Sequence, residues 1–207
     1  MRKPKKFAFI PKPMKTVVVL LTVGVLAGAC ETPPPIQTFA EITFAHLEPL
    51  NINVAKVEVE NAYRTGGESG HVENRFPVPP VKAMEQWVVD RLKPIGGPAS
   101  GKLRLVITDA GVLETVLKKD KSAKGVFTKQ QSHRYDLTAG GRLEIYDAAG
   151  ARAGYSVAKA TRTVTTREDI NLNEREKIWF GATEKLMADF NREMETNIRR
   201  YVGAWVK

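Results

Sequence analysis

Apolar residues run together only once in this chain, over residues 16–30 (TVVVLLTVGVLAGAC); elsewhere they alternate with polar ones at the period of a strand or a helix. Within residues 51–63, Ala55, Val57 and Val59 fall on one face and Lys56, Glu58 and Glu60 on the other, the period of two that predicts a half-buried strand. Residues 65–70 and 74–80, rich in Gly and Pro, read as loop. After Pro79-Pro80 the residues Val81, Met84, Val88, Leu92 and Ile95 recur at helical spacing with Trp87 beside them, which predicts a helix stopping at Lys93-Pro94 or just beyond.

Residues 102–108 alternate again, with Leu103, Leu105 and Ile107 inward, and this strand is expected to run on through Val112 to Leu117 with a bend at Gly111. A third strand spans residues 132–146, where Gly140-Gly141 suggests a bulge. Asp147 to Gly150 turns the chain into a fourth strand over residues 152–166. Asn173 then caps a final helix, with Glu176 three residues on, and Trp179, Ala182, Leu186, Phe190, Ile198, Tyr201 and Trp205 mark its apolar stripe, Met187 and Met194 alongside. The order is βαβββα. It predicts an α+β fold, a four-stranded, mainly antiparallel sheet with two helices on one face. The other face is left solvated, carrying Lys56, Glu58, Arg104, Arg142 and Glu144.

The long apolar run follows Arg2, Lys3, Lys5, Lys6, Lys12 and Lys15 with no acid among them, and it ends on Ala27, Gly28 and Ala29, the layout of a secretory signal. From Val17 to Ala29 a helix would cover roughly 20 Å, short of a hydrocarbon core of roughly 30 Å. Processing also changes the charge. The full chain carries +9, from 32 basic and 23 acidic residues, but the six cations of residues 1–29 leave with the signal, so the mature chain holds 26 basic against 23 acidic residues, or +3. That value, in an exported chain, excludes nucleic acid as a partner. A single cysteine excludes a disulfide framework.

Cys30, next to Leu26-Ala27-Gly28-Ala29, resembles the lipobox of bacterial lipoproteins, with Ala27 where that family usually has Leu. The resemblance implies a diacylglyceryl group on the Cys30 thiol, cleavage before it and a palmitate-bearing membrane anchor; more than one acyl chain gives stable anchoring. Ala27-Gly28-Ala29 also fits ordinary secretion, which leaves Cys30 a free thiol on a soluble periplasmic protein. Glu31 is not the Asp that favours inner-membrane retention in such lipoproteins, so the expected site is the periplasmic face of the outer membrane, with inner-membrane anchoring as the alternative. The expected organisation is a lipoprotein signal peptide over residues 1–29, lipidated cysteine and Pro-rich tether over 30–40 (Pro33, Pro34, Pro35), and one periplasmic domain over 41–207.

The lipidated cysteine, the tether, the paired-strand segment YDLTAGGRLEIYDAAGARAG of residues 135–154 and the long last helix together resemble small envelope lipoproteins of Gram-negative bacteria. Those include the lipopolysaccharide-assembly lipoprotein of the outer-membrane translocon and the auxiliary lipoproteins of ABC-type lipid transport systems. The resemblance implies a non-catalytic accessory or assembly role, with an envelope protein complex as partner and no cofactor. The alternative is a stand-alone periplasmic ligand-binding protein or hydrolase.

There is no G-x-S-x-G, Walker loop or H-E-x-x-H, and His46, His71 and His133 lack metal-ligand spacing, so the expectation is no enzyme and no metal. Asp109, Asp136 and Asp147 are the carboxylates that an acid-pair mechanism would have to bring together. The remaining feature is a basic segment, Lys118, Lys119, Lys121, Lys124, Lys129 and Arg134, a candidate contact for anionic lipid headgroups, with a solvated loop protecting a strand edge as the simpler reading.

Overall fold

The computed structural model describes residues 37–65, 69–118 and 129–207. Cys30 and the leader, and Lys119, Lys121 and Lys124 of the basic segment, lie outside the described residues. Residues 37–207 form one compact unit, and the chain already belongs to it at Phe39, whose ring lies 5.1 Å from that of Phe180.

The elements in order are β1 (Leu50–Ile52), β2 (Lys56–Asn61), α1 (Pro80–Arg91), β3 (Leu92–Pro94), β4 (Lys102–Asp109), β5 (Val112–Val116), β6 (Gln131–Tyr146), β7 (Arg152–Arg167) and α2 (Leu172–Tyr201). The main sheet has five strands rather than the expected four, and it is mixed. β2 pairs parallel to β4, which is what a helix crossing between two strands of one sheet imposes. β4 and β5 lie along one edge of β6 and β7 along the other, all antiparallel. The run read as one bent strand is therefore two, broken at Ala110-Gly111. β1 and β3 form a separate parallel pair of three-residue strands, too short for periodicity to show.

Alternation decides the faces. On β6, Tyr135, Leu137, Ala139, Leu143 and Ile145 are fully buried and meet Leu103, Leu105, Ile107 and Val112 of the neighbouring strands. Over this face lies α2, burying Trp179, Ala182, Leu186, Met187, Phe190, Met194 and Ile198. Tyr201, read as part of that stripe, is exposed. The helix is capped by Asn171, whose side chain accepts from Glu174 N–H at 2.9 Å; the sequence holds the same Asn-x-x-Glu spacing twice, and the earlier pair is used. The paired glycines do mark an irregularity, but the extra residue belongs to β4, since Ile107 faces Gly141 and Asp109 faces Gly140. A Cβ on Gly141 would sit 3.2 Å from the Phe190 ring, so its absence lets the helix approach the sheet.

α1 starts with Pro80 at its first position and ends three residues before Pro94, which disfavours a helical Lys93. Leu92 therefore leaves the helix for the β3 strand, and Ile95 is exposed. The buried face of α1 is Pro80, Ala83, Met84, Trp87, Val88 and Arg91. Trp87 packs edge-on to Phe190 at 5.5 Å and donates its Nε1–H to Asn191 Oδ1 at 2.8 Å. Arg91, 2% exposed, donates to Asn191 Oδ1 at 3.1 Å, to the Glu48 carbonyl and to the Glu195 carboxylate, so one guanidinium ties α1, α2 and the segment before β1 together.

Arg91→Ala removes all three ties, though Glu195 is partly exposed and rehydrates. Its chemical-denaturation midpoint is expected to fall by the equivalent of about 2–4 kcal/mol. Lys93→Ala, on the surface beside it, is expected to stay within about 0.5 kcal/mol of wild type.

Candidate functional site

The face of the sheet turned away from the helices is a lattice of ion pairs. From β2 to β7 it presents Lys56, Glu58 and Glu60, then Lys102 and Arg104, then Arg142, Glu144 and Tyr146, then Arg152. Strand register sets these contacts: Glu58 lies opposite Arg104, and Arg104 opposite Glu144. Glu144 is the centre. It is 2% exposed although it lies on the polar face. Arg104 reaches its Oε2 at 2.8 Å, Arg142 its Oε1 at 2.9 Å and Arg152 its Oε1 at 3.4 Å. The Tyr146 hydroxyl donates to Oε2 at 2.8 Å, and the Arg104 guanidinium stacks 5.2 Å over the Tyr146 ring. Burial alone would push the Glu144 carboxyl up; the hydrogen bonds from Arg104, Tyr146 and Arg142 outweigh it and hold the group at about 2.

At the sheet's β2 edge, Glu58 is held at about 2 by hydrogen bonds from Lys56 and Lys102, at 2.7 and 2.9 Å. Carboxyls this acidic stay ionised at neutral pH. Glu144 is shared by three guanidiniums and Arg104 also pairs with Glu60 at 2.9 Å, so the cluster carries a small local excess of positive charge.

A second cluster lies at the break between β4 and β5. The Tyr63 hydroxyl donates to Glu73 Oε1 at 3.0 Å and lies 3.3 Å from His71 Nδ1, while Glu73 Oε2 accepts from Val112 N–H at 3.3 Å. Burial and the adjacent Glu73 carboxylate raise the Tyr63 phenol well above its ordinary value. A Cβ on Gly111 would come within 2.7 Å of the Tyr63 hydroxyl. The cluster is a clamp holding the loop after β2 against the sheet. Neither it nor the role of Arg152 was visible in the sequence, because both depend on contacts between segments far apart in the chain.

The structure separates the three aspartates. Asp109 pairs with Lys159 at 3.2 Å, Asp136 with Arg134 at 2.9 Å, and Asp147 accepts from Ala151 N–H in the turn beyond β6. Of the basic segment, Lys118 is exposed just past β5, Lys129 pairs with Asp169 at 2.6 Å, and Arg134 is engaged by Asp136. His133 lies 2.8 Å from the Ser132 hydroxyl and stacks on Tyr135. Among the described residues no group of His, Cys, Asp and Glu has the arrangement to hold a metal ion, and no helix is long and apolar enough to cross a membrane.

No protein-family model and no curated protein matches the chain. Among solved structures it is similar to the crystal structure of a minor lipoprotein from Acinetobacter baumannii, at 13% identity and a TM-score of 0.35, covering 70% of this chain and 94% of that one. It is also similar to the solution structure of uncharacterized lipoprotein B from Nitrosomonas europaea, at 14% identity and a TM-score of 0.33, covering 72% and 85%.

Because the Glu144 carboxyl is held at about 2 against an ordinary 4.5, its contribution is complete above pH 4.5 and is lost as pH falls toward 2. Wild type is expected to lose about 3 kcal/mol through this group across that window in denaturation measured against pH. Glu144→Gln is expected to be less stable at pH 7 and to show a shallower decline below pH 4.5.

Proposed function

We propose that this chain is a lipid-anchored bacterial envelope lipoprotein, held at the periplasmic face of the outer membrane. There it acts as a non-catalytic accessory or assembly factor in envelope lipid or lipopolysaccharide transport or outer-membrane maintenance. One observation carries the reading: the chain's single cysteine stands between a basic, apolar leader and three prolines, shortly before the compact unit begins at Gln37. Acylated there, the cysteine anchors the chain to a membrane surface.

Support for docking rather than catalysis comes from the polar sheet face. Its most perturbed carboxyls, Glu58 and Glu144, are accounted for by Lys and Arg partners that keep them ionised. The exposed Lys118, with Lys119, Lys121, Lys124, Lys129 and Arg134, adds a second contact to anionic headgroups, weakened at Lys129 and Arg134 by their acidic neighbours.

Radiolabelled palmitate is expected to enter the full chain in growing cells and to be lost in Cys30→Ser, with wild type fractionating with the outer membrane. A mature amino terminus other than Cys30, or an unlabelled protein, overturns the anchor. Reversing charge at Lys118, Lys119, Lys121 and Lys124 is expected to reduce flotation of the full chain with anionic liposomes severalfold; unchanged flotation removes the lipid contact.

A further inference from the structure

β7 is paired with β6 along its whole length, and among the described residues no strand pairs with its other edge. The direction of that edge is fixed by one contact. The Val157 carbonyl accepts from Asn197 Nδ2 at 2.8 Å, so Val157 turns its backbone away from β6. Alternate residues of a strand point the same way, and the β6 register is unbroken from Val157 to Thr166. Val157, Lys159, Thr161, Thr163 and Thr165 therefore turn their N–H and C=O groups outward; the Val157 carbonyl is taken by Asn197, and the continuous free row runs from Lys159 to Thr165.

At the Val157 end of this row lies a groove of about 890 Å³ between β7 and the last turns of α2, lined by Tyr155, Val157, Glu193, Asn197, Arg200 and Tyr201. Tyr155, Val157 and Tyr201 are large side chains left 55%, 48% and 60% exposed. A further groove of about 410 Å³ lies toward the strand's other end, by Thr165, Arg167 and Lys177. Backbone groups supply affinity to an added strand, and the grooves take its alternate side chains.

Charge selects the occupant. β7 carries Arg152, Lys159, Arg162 and Arg167 and no acid, but Lys159, Arg162 and Arg167 are paired with Asp109, Asp189 and Asp169, so the charge left for a partner is concentrated at Arg152 and Arg200 beside the larger groove. Arg152 shares Glu144 with two other guanidiniums, and Arg200 stacks on Tyr201 without a carboxylate partner among the described residues. Two copies of β7 paired antiparallel through these outward residues and centred on Lys159 would set the two Lys159 side chains against each other, and like charges directly opposite repel. A segment with acids at alternate positions has the complementary charge. We infer that the outer edge of β7 accepts an extended, acidic segment of a partner protein as an added strand, its side chains entering the groove beside α2. The inference rests on the reading of the domain as a docking protein but is independent of the anchor.

The test uses the detergent-purified full chain and a short fluorescein-labelled peptide of alternating Glu and Val, read by anisotropy. Wild type is expected to bind it, and Arg152→Glu/Arg200→Glu to bind about tenfold more weakly. Thr161→Pro, which removes an outward donor but no bond to β6, is expected to weaken binding similarly. A peptide with Lys for Glu, and one with Pro for Val, are expected not to bind. Equal binding of the Pro peptide reduces the effect to charge alone and overturns strand addition, as does no binding of the Glu-Val peptide. Sedimentation of the chain as a dimer that Thr161→Pro dissociates makes a second copy the occupant and overturns the inference as well. Loss of palmitate labelling with peptide binding intact would remove the anchor and leave this site standing.

Discussion

A sixteen-residue strand brings a donor and an acceptor at every step, and each one buried without a partner costs about 1–3 kcal/mol. β6 meets that demand by pairing along both edges, with β4 and β5 in succession on one side and β7 on the other. The pleat then sends alternate side chains to opposite faces. Tyr135, Leu137, Leu143 and Ile145 go under α2, and Glu144, with the arginines around it, goes to the open face. Helix placement, the charged lattice and the free edge of β7 all follow from this one strand.

Much of that was legible in the chain. Period-two alternation located the four long strand runs, and the apolar stripe of α2 was readable from Trp179 to Ile198, because these patterns are local. The polar face, with Arg104, Arg142 and Glu144 on it, was readable for the same reason. What escaped were consequences of long-range pairing. The parallel register of β2 against β4 depends on how α1 crosses between them, and the β1 and β3 pair is too short to leave a period. The extra residue at Thr108 sits on the partner of the glycines that announce it. The Arg91 ties and the clamp of Tyr63, His71 and Glu73 join residues that no spacing rule connects.

Function follows the same division. The leader, Cys30 and the prolines state an address in a contiguous stretch. The docking surface is assembled from β7 and the end of α2, so its pieces read in sequence as an ordinary Thr-rich strand and an ordinary helix terminus. Together they make an edge with outward backbone groups, uncovered aromatic side chains and positive charge. Arg152, which pairs with Glu144, stacks over Tyr155 and lines the groove, links the polar face to it.

The central claim is that β7 keeps one edge open while β6 keeps none. Residue-resolved amide exchange on the full chain tests it most directly. The account predicts slow exchange throughout the paired length of β6, with fast exchange at Lys159, Thr161, Thr163 and Thr165 alternating with slow exchange at Ala158, Ala160, Arg162 and Val164. Uniform protection along β7 would contradict it, since the outer edge would then already be covered.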